Sequence, residues 1–205
     1  MSIVFIGLTS FFVALSGALV PGPLFTITVA ESARKGFISG PLIILGHGIL
    51  ELSLIILIIF GLAPFFSDPA VIMVISILGG LMLVYMGYRM IREARSARIS
   101  ITSEQGSKGI HPILSGIIGS ISNPYWTIWW ATIGLGYLVS SIKLGMLGVA
   151  VFFTGHILAD LLWYSLISFS VARGKRFIGE KGYRSLFYIC GIFLMLFGVW
   201  FIKGM

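Results

Sequence analysis

Two stretches of this chain carry the same reactive pair at the same spacing. Gly46-His47 is followed by Glu51, and Gly155-His156 by Asp160. Residues four apart share one face of a helix, so each stretch projects an imidazole and a carboxylate in the same direction. Each lies near the middle of a long apolar run, where an ionisable group is costly in lipid and marks a pathway or a site. Imidazole titrates near physiological pH, so His47 and His156 can exchange protons. A carboxylate cannot hold a proton and a cationic group at once, and that competition is what antiport requires. Two imidazoles and two carboxylates could instead bind a divalent cation, although no His-Glu-x-x-His signature is present. From a third class, an intramembrane metal-dependent hydrolase could use the same four groups around a bound water. The chain offers no recognised catalytic signature for it, and its third histidine, His111, falls at the edge of a run. Neither enzymatic activity nor a cofactor is expected.

Composition decides what surrounds these helices. Of 205 residues, 58% are hydrophobic and 10% are charged, against roughly a quarter charged in soluble domains. The chain therefore reads as an integral membrane protein. Its formal charge of +7 raises the question of nucleic acid, but the basic residues fall between apolar runs and not along one face. The lone Cys190 excludes an internal disulfide framework. No Lys or Arg precedes Arg34, so the first run lacks the charged region of a secretory signal and is expected to remain as a span.

Six runs reach the roughly 20 residues that cross a hydrocarbon core: 4–30, 38–62, 70–91, 112–138, 144–170 and 185–203. The expected fold is all-α, six transmembrane helices in a single membrane domain over 1–205. Lys and Arg set the orientation. Arg34, Lys35, Arg89, Arg92, Arg95, Arg98, Lys108, Arg173, Lys175, Arg176, Lys181 and Arg184 share one side, leaving Lys143 and Lys203 on the other. This predicts a multi-pass inner-membrane protein with its basic links in the cytoplasm and both termini outside.

The repeat extends beyond the His/acid pairs. Spans one and four carry proline breaks, Pro21-Gly22-Pro23 and Asn123-Pro124, while spans three and six carry glycines seven apart, Gly80 with Gly87 and Gly191 with Gly198. Three spans per unit is an odd number, so the second unit enters from the opposite side. The layout is two inverted three-helix repeats, about 1–92 and 112–205 around a cytoplasmic link at 93–111, with binding expected where helices are interrupted. Pro23 to His47 is 24 residues and Pro124 to His156 is 32, which places extra residues around the fourth link near Lys143. Proline removes a backbone donor and breaks the helix, Gly22 permits close approach, and the N–H groups of each restarting helix can hold a carboxylate. Tyr125 and Trp126, beside the second break, are candidate cavity-lining residues. Trp129 and Trp130 are assigned to an outer interfacial belt. Ser16, Gly17, Ala18, Ser115, Gly116, Gly119 and Ser120 are assigned to close helix packing and not to ligand contact.

With Pro21-Gly22-Pro23, the spaced glycines Gly36, Gly40 and Gly46, and Asn123-Pro124 opening the second unit, the chain resembles the lysine exporter family of amino-acid translocators. That family includes homoserine, threonine and leucine exporters. The likeness covers essentially the whole chain, including the run from Gly79 to Gly87. It implies efflux of amino acids or related metabolites against an inward proton gradient, often as a homo-oligomer. The family usually has Lys after Asn-Pro, where this chain has Tyr125, so a lysine role in carboxylate binding is not carried over. Nor are Glu51 and Asp160 family-typical, so the substrate class is not copied. The expected activity is secondary active export by alternating access, with the bilayer, a small metabolite and protons as partners. The wider superfamily contains proposed metal-ion exporters, and the alternative is export of a divalent metal through His47, Glu51, His156 and Asp160.

Overall fold

The computed structural model describes residues 2–20, 22–62, 68–96, 110–174 and 179–203. Pro21 and most of the link at 93–111 lie outside the described residues. Among the described residues the chain is helical throughout, with no strand.

Local chemistry sets the helix ends. The Ser2 hydroxyl caps α1 (Ile3–Ala18) by accepting from the Phe5 N–H at 3.2 Å. The chain then turns through 77°, and α2 (Pro23–Lys35) restarts with Pro23 in its first turn, where the missing N–H is not needed. Arg34 and Lys35 fill the last turn of α2, and Gly36 closes it at φ 85°, a conformation that glycine adopts without penalty. α3 (Ser39–Leu57) runs on into Ile58–Leu62, which is kinked at Gly61, φ 87°, and α4 spans Pro69–Ser96. His111 caps α5 (Pro112–Ile121), its Nδ1 accepting from the Ile113 N–H at 3.4 Å. Asn123 caps α6 (Pro124–Trp129), its Oδ1 accepting from the Tyr125 N–H at 3.1 Å. A π turn, Trp130–Gly134, leads to α7 (Leu135–Ile142), then α8 (Gly145–Gly174) and α9 (Gly179–Lys203).

Lipid offers no hydrophobic drive between helices, so close packing of small residues must hold them together. Glycines supply it at three seams. Along α4 and α9, a Cβ on Gly80 would fall 2.7 Å from the Gly198 carbonyl oxygen, and one on Gly87 2.5 Å from that of Gly191. α1 lies along α8, where Gly155 faces the Gly7 carbonyl and the Ser10 hydroxyl donates to the Phe152 carbonyl at 2.9 Å. α3 lies along α5, where a Cβ on Gly46 would overlap the Ile113 carbonyl and one on Gly116 that of Ile43.

The outward faces are apolar: Phe12, Leu162 and Leu196 are 64%, 58% and 68% exposed, as a bilayer demands and water does not. Among the described residues, Ser39–Gly61 and Gly145–Gly174 are long and apolar enough to cross a membrane, and the bent pair α1–α2 makes a third crossing if taken as one span.

Two apolar clusters form the interior, one containing Ile43, Ile44 and Tyr164, the other Leu54, Ile55, Val149 and Phe152. Along α3 the first cluster precedes His47 and Glu51 and the second follows them. Along α8 the order reverses, with Val149 and Phe152 before His156 and Tyr164 after Asp160. The two helices thus traverse one polar layer in opposite directions.

Ile3 and Pro112, which open α1 and α5, are 109 residues apart, as are His47 and His156. The break follows 16 residues in α1 and 10 in α5. α7 and α8 are joined through Lys143 and Leu144, and the extra residues between Pro124 and His156 flank that link, chiefly in the stretch Pro124–Ile142, which is longer than Pro23–Lys35.

Candidate functional site

His47 and Glu51 on α3 meet His156 and Asp160 on α8 in the polar layer, all four buried. His47 Nε2 lies 3.2 Å from Glu51 Oε1 and 3.4 Å from Asp160 Oδ2. His156 Nε2 lies 3.0 Å from Glu51 Oε2 and 3.4 Å from Asp160 Oδ2. Each imidazole therefore touches both carboxylates, its own and the other helix's. Gly46 and Gly155 bring this about, because each glycine directly before a histidine lets its helix sit against a neighbour's backbone.

Hydrogen bonding fixes part of the proton inventory. Ser120 Oγ lies 2.7 Å from the Gly116 carbonyl oxygen, which can only accept, so the single hydroxyl proton goes there. Ser120 must then accept at its other contact, 2.7 Å from His47 Nδ1, and His47 carries its proton on Nδ1. At Nε2, His47 either bears a second proton as imidazolium or takes one from an acid. Glu51 Oε1 accepts two indole N–H bonds, from Trp126 at 2.9 Å and Trp130 at 2.8 Å. Donors converging on one oxygen favour a carboxylate over a carboxylic acid. The two pairs are not equivalent: the residue 109 before Ser120 is Phe11. His156 instead sits among Trp129, Trp130 and Phe152, with ring centroids 4.7, 6.1 and 6.2 Å away, and its Nδ1 has no hydrogen-bond partner among the described residues. A proton placed among these groups can pass between nitrogen and oxygen atoms 3.0 to 3.4 Å apart.

The four groups open onto a cavity of about 60 Å³. Both helix breaks reach it. Asn123 and Leu24 line it, and a Cβ on Gly22 would stand 3.6 Å from Asn123 Nδ2. Gly17 faces Trp129 Nε1 and the Tyr125 hydroxyl, at 3.6 and 3.7 Å from a would-be Cβ. Tyr125 and Trp126 line the cavity together with His47, Glu51, His156 and Asp160. Pro23 is buried at the start of α2, while Pro124 opens α6. The interfacial-belt assignment of Trp129 and Trp130 is corrected: they are 6% and 4% exposed and surround His156, with Trp130 bonded to Glu51. Ser120, read as a packing residue, is also a hydrogen-bond partner of His47. Tyr164 was missed in the sequence although it stands four residues after Asp160, on the same helix face.

A family model described as LysE type translocator matches residues 15–204 of the chain. This protein belongs to the LysE type translocator family. The resemblance carried by the Pro-Gly-Pro and Asn-Pro breaks is thereby borne out, and the chain is a multi-pass transmembrane transporter. One relative, from Bacillus subtilis (strain 168), is described as "Putative amino acid efflux protein YcgF"; it is 24% identical over 182 residues, 88% of this chain and 87% of that one. No solved structure matches. Among the described residues lining the cavity of this LysE type translocator there is neither Lys nor Arg. Its charge comes from two acids and two imidazoles, so the cavity loses negative charge with each proton that arrives.

Proposed function

We propose that this protein exports an amino acid or a related small metabolite across the inner membrane in exchange for protons, by alternating access between two inverted three-helix units. The observation that carries the proposal is the convergence of His47, Glu51, His156 and Asp160, from helices of opposite direction, at the cavity that both helix breaks reach. In this reading the spans are α1–α2, α3, α4, α5–α7, α8 and α9. α4 and α9, with 28 and 25 residues, exceed the roughly 20 needed to cross the core. The pairing of α1 with α8 and of α3 with α5 supports the internal symmetry, and the basic links support cytoplasmic loops with both termini outside.

The cargo's ammonium sits between Glu51 and Asp160 against the face of Trp129, where a cation is attracted by the ring. Its carboxylate meets the Asn123 amide and the N–H groups opening α2. Protons arriving at the four groups neutralise the carboxylates and release the ammonium, and this competition couples the two fluxes. The relative named for amino acid efflux supports the cargo class. The experiment is a thermal-shift panel of amino acids on the purified protein, since a ligand of the folded form raises its melting point. Counterflow of the hits in proteoliposomes follows, with Glu51→Gln and Asp160→Asn. Undiminished, still proton-coupled counterflow in the double variant would refute the assigned roles.

One observation favours a second reading, a divalent cation as cargo. One ligand atom from each of His47, Glu51, His156 and Asp160 lies within 4.8 Å of the others, the nitrogen and oxygen donors that such a cation accepts, and His47 Nδ1–H donates outward to Ser120 as a metal-ligating histidine's free N–H does. Calorimetry with Zn²⁺ and Mn²⁺ on wild type and on His47→Ala/His156→Ala decides it, and an absence of metal binding removes it.

A further inference from the structure

A second cavity, of about 80 Å³, lies along the C-terminal half of α2 against α4 and the start of α5. Its chemistry is opposite to that of the first. Arg34 and Arg89 line it. Glu31, its acid, is 6% exposed and already paired with Arg34 at 2.9 Å and Lys35 at 2.6 Å. Arg89 donates to the Tyr85 hydroxyl at 3.3 Å. Ser115 Oγ, on a residue 1% exposed, lines the same cavity with no hydrogen-bond partner among the described residues. Guanidinium groups with a buried hydroxyl are what a planar carboxylate needs for recognition.

The linings of the two cavities come within one helical turn of each other on α2. Leu24 lines the first and Ile27 the second, three residues apart on one face of α2. Both rest on Gly119 of α5, where a Cβ would fall 2.8 Å from Ile27 Cδ1 and 3.4 Å from Leu24 Cδ1. Bare glycine thus seats two apolar side chains between an acid-and-imidazole site and a guanidinium site.

We propose that the second cavity is a vestibule that accepts the carboxylate of a small metabolite on the cytoplasmic side, closed from the His/acid site by a Leu24–Ile27 gate seated on Gly119. The proposal rests on the exporter reading and names where that cargo waits. A zwitterionic cargo would meet the guanidinium groups by its carboxylate first and the acids by its ammonium second. Anionic lipid headgroups share the first chemistry, so the test separates them.

The test uses the full chain with Cys190→Ser, reconstituted in phosphatidylcholine vesicles of defined sidedness. A cysteine at Ala30→Cys, in the vestibule, is labelled by methanethiosulfonates carrying either a sulfonate or a trimethylammonium group. The sulfonate reagent should react several-fold faster; Arg89→Gln should abolish the preference and Arg89→Lys retain it. A cysteine at Ala18→Cys, on the first cavity, should resist reagent added from the vestibule side until Ile27→Ala opens the gate. Equal or faster labelling by the cationic reagent, or ready labelling of Ala18→Cys with Ile27 intact, overturns the proposal. Protection of Ala30→Cys by phosphatidylglycerol in the vesicle, but not by the amino acids of the panel, assigns the cavity to headgroups and also overturns it. Charge-selective, gated labelling in a protein that moves no amino acid would place the fault with the exporter reading and leave the vestibule standing.

Discussion

Glu51 is the residue on which the polar layer turns. Its Oε1 takes two indole donors and its Oε2 faces His156, so one side chain ties α6, the following π turn and α8 to α3. Trp130→Phe keeps a ring of similar shape while removing a donor to this carboxylate. A hydrogen bond to a charged group is worth roughly 1.5–3 kcal/mol, and we expect that loss in the unfolding of detergent-solubilised protein. Trp126→Phe, at a more exposed ring, should cost less. A Trp130→Phe melting curve that overlays wild type would show that the bond holds nothing. Ser120→Ala should lower the melting temperature as well, since it strands the buried His47 Nδ1–H, at a cost of about 1–3 kcal/mol; an unchanged melting temperature would mean that another acceptor replaces Ser120. The His/acid pairs were legible in the sequence because helical spacing and the cost of charge in lipid point the same way. Ser120 was not, because a serine among small residues on an apolar helix has packing as its commonest use. Nor were Trp129 and Trp130: indole enrichment at interfaces is a statement about averages, and the clue that mattered was three indoles on one stripe beside a helix break.

At the scale of the helices, glycine decides the distances. Gly46 has the Ile113 carbonyl where its side chain would be, so Gly46→Ala must push α3 from α5 and draw His47 away from Ser120. Overpacking of this kind costs about 1–3 kcal/mol, and because the clash is with backbone, side-chain adjustment cannot relieve it. We expect Gly46→Ala to lose both melting temperature and transport. Gly136→Ala on α7, with nothing within 4 Å of the added methyl, should be neutral or stabilising by up to about 1 kcal/mol. Equal melting temperatures for the two variants would show that the seam is looser than the geometry implies. The paired glycines of α4 and α9 were visible from their spacing alone. The depth of the breaks was not: a proline tells where a helix restarts, not how many turns precede it. The π turn after α6 left no sequence trace that periodicity could catch, since one extra residue per turn shifts a face without interrupting an apolar run.

At the scale of the whole molecule, the two proposed units meet where Gly22, ahead of α2, stands against Asn123, ahead of α6. If the units rock about the polar layer, these two segments have to part when the cavity opens on the side they close. A covalent bridge there should therefore stop transport while leaving the fold intact. Gly22→Cys with Asn123→Cys, in a Cys190→Ser background, supplies the thiols, and Gly22 has an extended backbone, φ −155°, that any residue adopts. Disulfides favour Cβ atoms about 3.5–4.5 Å apart, so a short bis-methanethiosulfonate serves beside direct oxidation in case the spacing is wider. Each single-cysteine protein should carry out counterflow before and after oxidant. The double variant should do so only until it is bridged, and should recover on reduction. Counterflow at the unbridged rate in fully bridged protein would mean that the two breaks travel together. The moving boundary would then lie elsewhere, and the seams of α1 with α8 and α3 with α5 would have to slide instead, against the backbone contacts that hold them.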